Sequence, residues 1–263
     1  EIVNRKRIDE ETAVAALLKW AAVPEYFDRF AGPTTRARVL ELQGKKAGSD
    51  EFVPVNDNNK ATNGAAMKAA PIALLSRGDV DAAIDQAVTV CRITHNNNIA
   101  LSGAAAIAAA TAAAIGKNAN LFDVVRASLY GAKKGDEIGR KTGATLAGAS
   151  VETRIRWAVS IAVEAKDLST AIDEIADYIG SGLMAVEAVP AAIGLCVAAG
   201  GHTVDGICAA VNIGNDTDTV ATMVGGILGA LNGIDSMPER YLEMIEKENQ
   251  FDLKGLAKSI LEF

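Results

Sequence analysis

The hydrophobic residues of this chain recur at helical spacing along almost its whole length. Within residues 12–21 the apolar side chains fall at intervals of three and four, which places them on one helix face: Val14, Leu17, Leu18 and Ala21. No convincing stretch alternates apolar and polar residues in the manner of a strand. The pattern therefore predicts an all-α protein. The predicted helices cover residues 12–21, 34–42, 64–76, 80–93, 99–115, 121–133, 151–164, 169–178, 183–199, 204–211, 220–231, 238–247 and 253–261.

Two of these helices are dense in small residues, over 102–114 and 222–230. Small side chains let helix axes approach closely, so we expect both helices to be central and surrounded by larger ones. Residues 45–62 are polar and predict a loop. No linker or fixed repeat interrupts the chain, which indicates one compact domain over residues 1–263.

The charge balance argues against a dedicated nucleic-acid binder. The chain has 26 Lys and Arg against 33 Asp and Glu, a net charge of −7, whereas such binders carry a basic footprint. The uncharged run at residues 99–116 is too short and too weakly apolar for a confident membrane span. Residues 1–7 do not resemble a signal peptide. We therefore expect a cytoplasmic protein with no nucleic-acid or membrane partner.

The cysteines and histidines limit the metal chemistry. Cys91, Cys196 and Cys208 each lie in an apolar run without C-x-x-C spacing, so we expect buried free thiols. With only His95 and His202 beside them, a classical zinc site is not expected.

The strongest local signal is the segment Gly214-Asn215-Asp216-Thr217-Asp218-Thr219, which precedes an apolar helix. Asn, Asp and Thr at such a place are ordinary helix-capping residues. Two carboxylates and two hydroxyls within four residues also suit a hard cation such as Mg²⁺, Ca²⁺ or Mn²⁺. Asp216 and Asp218 diverge on a regular helix, so they would converge only on a turn that enters it. From the residues alone, helix capping and metal ligation are about equally probable roles for this segment.

A hard cation is coordinated by about six oxygen ligands, and no second cluster of carboxylates and hydroxyls is evident in the sequence. The acidic pairs Glu10-Glu11 and Asp50-Glu51 are typical of a solvated surface. Further ligands would have to come from elsewhere in the fold, from water or from substrate.

Three weaker signals accompany it. Residues 60–68 lead from a polar loop through Asn63-Gly64 into a helix, where backbone N–H groups could hold a phosphate, although a simple capped helix is favoured. His95, followed by three asparagines, favours a structural hydrogen bonder over a catalyst. Gly180 and Gly182 let the backbone approach either a ligand or another helix.

These segments, in this order, resemble the ADP-ribosylglycohydrolase family. The signature Gly-x-Asp-x-Asp-Thr is fairly specific, and five further matches make chance improbable; position 68 holds Lys where the family pattern has Arg. The matching segments are Gly32-Pro33-Thr34-Thr35-Arg36, Asn63-Gly64-Ala65-Ala66-Met67-Lys68, Thr94-His95, Gly180-Ser181-Gly182 with Glu187, Val189 and Pro190, Gly214 to Thr219, and Gly233 with Pro238.

The resemblance implies a compact orthogonal helical bundle with two Mg²⁺ ions in a cleft, Mn²⁺ being possible. It implies metal ligation by Asp216, Asp218 and Thr219. The substrate-binding residues that it implies are Thr62, Asn63 and Gly64, near the diphosphate or ribose, with His95, Gly182 and Leu183 lining the same cleft. The implied reaction is hydrolysis of the glycosidic bond at C1″ of ADP-ribose, carried by a protein or by a small molecule.

The chain departs from the family pattern in one respect. The family's other metal ligands lie in a Thr-Asp-Asp motif near the amino terminus, and no such motif occurs here. We expect an amino-terminal segment carrying that motif and the general base to be missing from the chain, rather than lost from a dead site. The alternatives are a non-catalytic ADP-ribose-binding or structural protein, similar to the family's lens members, and a hydrolase of another ribosyl or nucleoside substrate.

Overall fold

The computed structural model describes residues 1–45 and 57–263, and its secondary structure within those ranges is helical. No β-strand forms there; two isolated bridges, Thr62 to Met184 and Asn97 to Ala144, are the extended pairings found. The all-α prediction is confirmed. The helices are α1 Ile2–Arg5, α2 Glu10–Ala21, α3 Pro24–Phe30, α4 Pro33–Leu42, α5 Ala69–Ala73, α6 Val80–Cys91, α7 Asn98–Ala114, α8 Leu121–Thr142, α9 Val151–Glu164, α10 Leu168–Tyr178, α11 Ala185–Ala198, α12 Thr203–Asn212, α13 Thr217–Asn232, α14 Glu239–Asn249 and α15 Leu253–Leu261, with short 3₁₀ turns at Asp57–Lys60, Ala66–Lys68, Leu74–Ser76 and Ile234–Ser236.

Polar side chains begin most of the longer helices. Each accepts a hydrogen bond from a backbone N–H of the first turn, which has no partner within the helix itself. The capping residues are Asp9, Asp79, Asn97, Asn120, Ser150, Asp167 and Asp252.

Helix α7 lies at the centre of the fold, and nearly all of its residues are buried. Its alanines and glycine leave little side-chain bulk, so neighbouring helices approach its backbone closely. Its most extensive neighbour is α8, and α6, α11 and α13 also pack on it. The prediction of a central helix over 102–114 is confirmed.

The approach of α8 to α7 depends on three glycines spaced four residues apart, Gly131, Gly135 and Gly139. A Cβ atom at Gly131 or Gly135 would collide with a backbone oxygen of α7, at Ala105 or Leu101 respectively. Because residues four apart share a helix face, the three glycines form a flat strip against α7.

Pro190 lies inside α11, where it leaves a backbone carbonyl group without its helical hydrogen bond. Proline has no N–H, so the carbonyl oxygen of Val186, four residues earlier, loses its helical partner. The Arg154 side chain of α9 replaces the missing donor with a hydrogen bond of 3.2 Å to that oxygen. It also donates to the carbonyl of Ile179 at 3.0 Å. One guanidinium group therefore fixes the end of α10 beside the start of α11, on both sides of residues 180–184.

Two predicted helix boundaries were wrong. Residues 64–76 form a 3₁₀ turn, the short α5 and a second 3₁₀ turn. Pro71 explains the interruption, because it lacks the N–H that a continuous helix beginning at residue 64 would need at this position. Helix α8 continues to Thr142, beyond the predicted end at 133, because Gly135 and Gly139 are packing contacts there. The short helix α3 was not predicted.

Two burial predictions also need correction. Cys91 and Cys196 are buried free thiols as expected, but Cys208 is exposed, because it lies on the outer face of α12. Helix α13 is not surrounded on all sides. Its apolar residues, such as Met223 and Ile227, are buried, whereas Thr222 lies on an exposed face.

The remaining expectations concern the loop and the membrane. Glu10 and Glu11 are exposed, as expected. Asp50, Glu51 and most of the predicted loop at 45–62 lie outside the described residues. None of the described helices is long and apolar enough to cross a membrane.

We predict that Gly135→Ala destabilises the fold by about 1–3 kcal/mol, because the new methyl group must separate α8 from α7. Gly229 of α13 is the matched control, since a Cβ atom there meets nothing within 4 Å. Gly229→Ala should be neutral or stabilise by up to about 1 kcal/mol through helix propensity. Urea unfolding measures both changes, and equal effects in the two variants would contradict this role for Gly135.

Candidate functional site

Asn63 connects three distant segments of the chain. Its backbone N–H donates to the carbonyl of Leu183 at 2.8 Å. Its side-chain amide donates to Asp216 Oδ2 at 2.6 Å and, more weakly, to the carbonyl of Gly182 at 3.4 Å. Asn63 is only 4% exposed. The segments around 63, 182 and 216, which were predicted to share a site, are therefore brought together.

The turn before α13 is held from the side of residues 180–182. Ser181 Oγ donates to the carbonyl of Gly214 at 2.9 Å, and the backbone N–H of Asp216 donates to the carbonyl of Ser181 at 3.0 Å. Gly214 and Asn215 both have positive φ, 84° and 60°. Glycine and asparagine tolerate this left-handed conformation best, which explains their presence at the turn.

Asp216 occupies the N-cap position of α13, yet its side chain caps nothing. The seven capping residues named above each bond to a helix N–H, whereas the Asp216 carboxylate accepts from Asn63 instead. The capping interpretation of Asp216 therefore does not describe this structure. Its carboxylate is directed to the other segments of the candidate site.

Asp218 and Thr219 follow in the first turn of α13. The Asp218 side chain is exposed and has no hydrogen-bond or ion-pair partner among the described residues. Thr219 is 5% exposed, and its hydroxyl likewise has no partner in the described part of the chain. These oxygen atoms are thus free to bind something that is not protein.

The donor set fits part of a divalent-cation site. Carboxylate and hydroxyl oxygens are suitable ligands for a hard cation. Within residues 1–45 and 57–263, no group of three or more His, Cys, Asp or Glu side chains is arranged to hold a metal ion. Asp216, Asp218 and Thr219 could therefore supply only some of the ligands.

His95 is buried and uses both ring nitrogens. Nε2 lies 2.9 Å from Thr62 Oγ1, and Nδ1 lies 2.7 Å from Thr94 Oγ1. A Cβ atom at position 64 would lie 2.9 Å from the ring, so Gly64 leaves the space that His95 occupies. The structure thus brings Thr62, Gly64 and His95 together, and the structural interpretation of His95 agrees with its saturated hydrogen bonding.

The surroundings of His95 disfavour its charged form. Burial, together with the nearby Lys68 ammonium group, lowers the pKa of His95 to about 3. Burial also lowers the pKa of Lys68, which has no carboxylate partner among the described residues. Lys68 Nζ donates to Thr94 Oγ1 at 3.0 Å. The sequence indicated Lys68 only as the residue at an arginine position and did not indicate its contact with Thr94.

Glu187 supports the glycine-containing loop and was not predicted to do so. Its Oε2 accepts the backbone N–H of Gly182 at 3.1 Å, and a Cβ atom at Gly182 would lie 2.5 Å from that oxygen. The neighbouring Leu183 side chain is 65% exposed, so its contribution to the site is an open apolar surface. A glutamate five residues after a glycine is the signal that could have indicated this bond.

The comparison with known protein families decides the classification. The ADP-ribosylglycohydrolase family model matches residues 1–262. The chain belongs to the ADP-ribosylglycohydrolase family.

Several family members align with the chain at moderate identity. YegU of Escherichia coli K12 is 29% identical over 261 residues, which cover 98% of this chain and 75% of YegU. ADP-ribosylarginine hydrolase Tri1 of Pseudomonas putida is 29% identical over 189 residues, 72% of this chain and 43% of Tri1. Human ADP-ribosylhydrolase ARH3 is 33% identical over 98 residues, 34% of this chain and 26% of ARH3. The aligned residues of the chain thus span less than half the length of Tri1 and less than half the length of ARH3.

Seven of the nine residues predicted for the site are brought together in two connected groups, and Asp218 and Thr219 follow Asp216 in the first turn of α13. Asn63, Gly182, Leu183 and Asp216 are joined directly, and Thr62, Gly64 and His95 lie beside Asn63. The ligand-binding roles of these residues remain predictions. The cleft also remains a prediction. Two cavities among the described residues, of about 280 and 380 Å³, are lined by other residues, such as Asn98 and Asp136 in the first and His202 and Asp205 in the second.

We predict that His95 makes stability depend on pH. The unfolded chain binds a proton at His95 below about pH 6.5, whereas the folded chain does so only near the pKa of about 3. The unfolded state therefore holds the extra proton between these values, and stability falls as the pH falls through this window. The slope contributed by His95 is about 1.4 kcal/mol per pH unit.

Urea unfolding of wild type and His95→Gln between pH 4.5 and 7.5 measures this slope as the difference between the two proteins. His202→Gln is the control, because the His202 side chain is 78% exposed. Parallel profiles for wild type and His95→Gln would show that His95 is not held neutral.

Proposed function

We propose that this protein hydrolyses the glycosidic bond of an ADP-ribosyl group, in a protein or a small molecule, at the cluster around Asn63, His95 and Asp216. The observation that carries the proposal is the Asp216 carboxylate, which occupies a capping position but bonds to Asn63 rather than to its own helix. Family membership and the names of Tri1 and ARH3 support the reaction class.

Asp216, Asp218 and Thr219 are the residues that would hold a divalent cation, Mg²⁺ or Mn²⁺. When bound, such a cation supplies positive charge that orients ribose hydroxyls and the attacking water. The remaining ligands would come from water, from the substrate or from residues outside those described. Metal binding requires ionised carboxylates, so it should weaken at acid pH.

The other residues have distinct roles in this proposal. Breaking a ribosyl bond places positive charge on the sugar ring, and the two aspartates would offset the charge of the cation that they hold beside it. Thr62, Asn63 and Gly64 would bind the diphosphate or ribose, and Gly182 and Leu183 would border the ligand. Both nitrogens of His95 are engaged by threonine hydroxyls, so His95 is a positioning residue rather than an acid or base. No described residue is assigned as the general base.

Asp218→Asn in the complete protein is the direct test, because this carboxylate has no partner to lose among the described residues. We expect the release of ADP-ribose from ADP-ribosylated arginine or serine substrates, in the presence of Mg²⁺, to fall about 100-fold or more. Asp177→Asn is the matched control, an exposed aspartate in α10. Unchanged turnover in Asp218→Asn would remove Asp218 from the mechanism.

A binding measurement separates metal ligation from catalysis. Mg²⁺ at about 100 times its Kd should stabilise the folded protein by about 2.7 kcal/mol, and this stabilisation should be lost in Asp218→Asn and kept in Asp177→Asn. Mg²⁺-dependent binding of ADP-ribose by the complete protein, without hydrolysis, would favour the non-catalytic alternative. Activity on a different ribosyl substrate alone would favour the other alternative.

A further inference from the structure

Four side chains form a continuous hydrogen-bonded chain that ends at the candidate site. Lys68 Nζ donates to Thr94 Oγ1 at 3.0 Å, Thr94 Oγ1 lies 2.7 Å from His95 Nδ1, and His95 Nε2 lies 2.9 Å from Thr62 Oγ1. Each of these contacts is within hydrogen-bond distance. The positions of the hydrogen atoms in this chain follow from the donor and acceptor capacity of each group.

The Thr94 hydroxyl hydrogen has one good acceptor. The carbonyl of Cys91 is 3.4 Å from Thr94 Oγ1, and that carbonyl already accepts the backbone N–H groups of Thr94 at 3.2 Å and His95 at 3.0 Å. The Lys68 ammonium group can only donate. The hydrogen is therefore donated to His95 Nδ1, and the distance from Thr94 Oγ1 to this nitrogen is the shortest of these contacts.

This assignment fixes the remaining hydrogen atoms. A neutral imidazole that accepts at Nδ1 carries its proton on Nε2 and donates it to Thr62 Oγ1. The hydrogen of Thr62 itself must then point elsewhere, and no acceptor for it lies among the residues that the structure describes. Thr62 is half-buried and precedes Asn63.

We infer that Thr94, held by Lys68, fixes His95 as the Nε2–H tautomer and thereby commits the Thr62 hydroxyl to donate a hydrogen bond to an oxygen of the bound ligand. The ligand part of this inference rests on the proposed function. Thr94 and Lys68 are positioning residues, because they act through His95 and Thr62. The lowered pKa of His95 is consistent with a neutral ring.

The chemical consequence concerns which ligand atoms are accepted at Thr62. A committed donor favours an oxygen that only accepts, such as a phosphate oxygen of a nucleoside diphosphate. An ammonium group at the far end polarises successive donors in the same direction, which strengthens each bond in the chain. Gly64 completes the arrangement, because a side chain there would displace the imidazole from Thr62.

Nitrogen-15 NMR of the uniformly labelled wild-type protein at pH 6.5 tests the tautomer directly. The chain has two histidines, and His202→Gln assigns the signals by removing one set. We expect His95 to show a protonated Nε2 and an unprotonated Nδ1. A protonated Nδ1 would overturn the inference, whatever the protein's activity.

Thr94→Val and Thr94→Ser test the positioning role. Valine keeps the shape of threonine without its hydroxyl, so His95 should lose its single tautomer, and ADP-ribose should bind roughly two- to tenfold more weakly in the presence of Mg²⁺. Serine restores the hydroxyl and should restore both observations. An unchanged tautomer and affinity in Thr94→Val would overturn the role of Thr94.

The two proposals fail in different ways. If wild-type His95 is the Nε2–H tautomer but ADP-ribose does not bind, the proposed function fails and the hydrogen-bond arrangement stands. If ADP-ribose binds and is hydrolysed while His95 carries its proton on Nδ1, the function stands and this inference fails.

Discussion

The candidate site depends on the hydrogen bonds of one buried asparagine. Asn63 bonds to Asp216, which is 153 positions away in sequence, and its backbone bonds to Leu183. A buried amide is stable only when its polar atoms find partners. The protein satisfies this requirement by bringing together residues from three loops, and these loops carry the predicted ligand-binding residues. The Asp216 carboxylate that accepts this bond makes no capping hydrogen bond to α13, so α13 begins without a side-chain cap.

The helical core makes this loop arrangement possible. Helix α7 is almost entirely buried, and α8 approaches it along a strip of three glycines. Asn97, at the start of α7, donates to the carbonyl of Lys60, two residues before Thr62. Arg154 of α9 occupies the carbonyl that Pro190 leaves without a partner and so fixes the loop at 180–184. The site residues lie on loops, but each loop is tied to a rigid helix end, as a precise binding site requires.

Electrostatics divide the site into two regions. Asp216 and Asp218 place carboxylates at the start of α13, where the helix N–H groups stabilise their negative charge. Lys68 and the neutral imidazole of His95 lie behind Thr62, on the other side of Asn63. The first region suits cations and developing positive charge, and the second presents hydrogen-bond donors. A ligand with a ribose and a diphosphate carries groups suited to both regions, which links the hydrogen-bond chain to the proposed substrate.

Most of the helices, and the segments that form the site, could be predicted from the sequence, because the spacing of apolar residues and the distribution of Asn, Asp, Thr and Gly are local properties of the chain. Residues 151–164 and 253–261, for example, are helical as predicted. The sequence did not determine the direction of the Asp216 side chain. An aspartate at this position can cap its own helix or bond to another segment, and only the tertiary structure places Asn63 beside it. Likewise, the helix from residue 121 was predicted to end at 133, and only the contact with α7 shows why a glycine is needed at position 135 inside it. Local propensity depends on neighbours along the chain, whereas burial, hydrogen-bond partners and pKa values depend on residues that only the tertiary fold brings near.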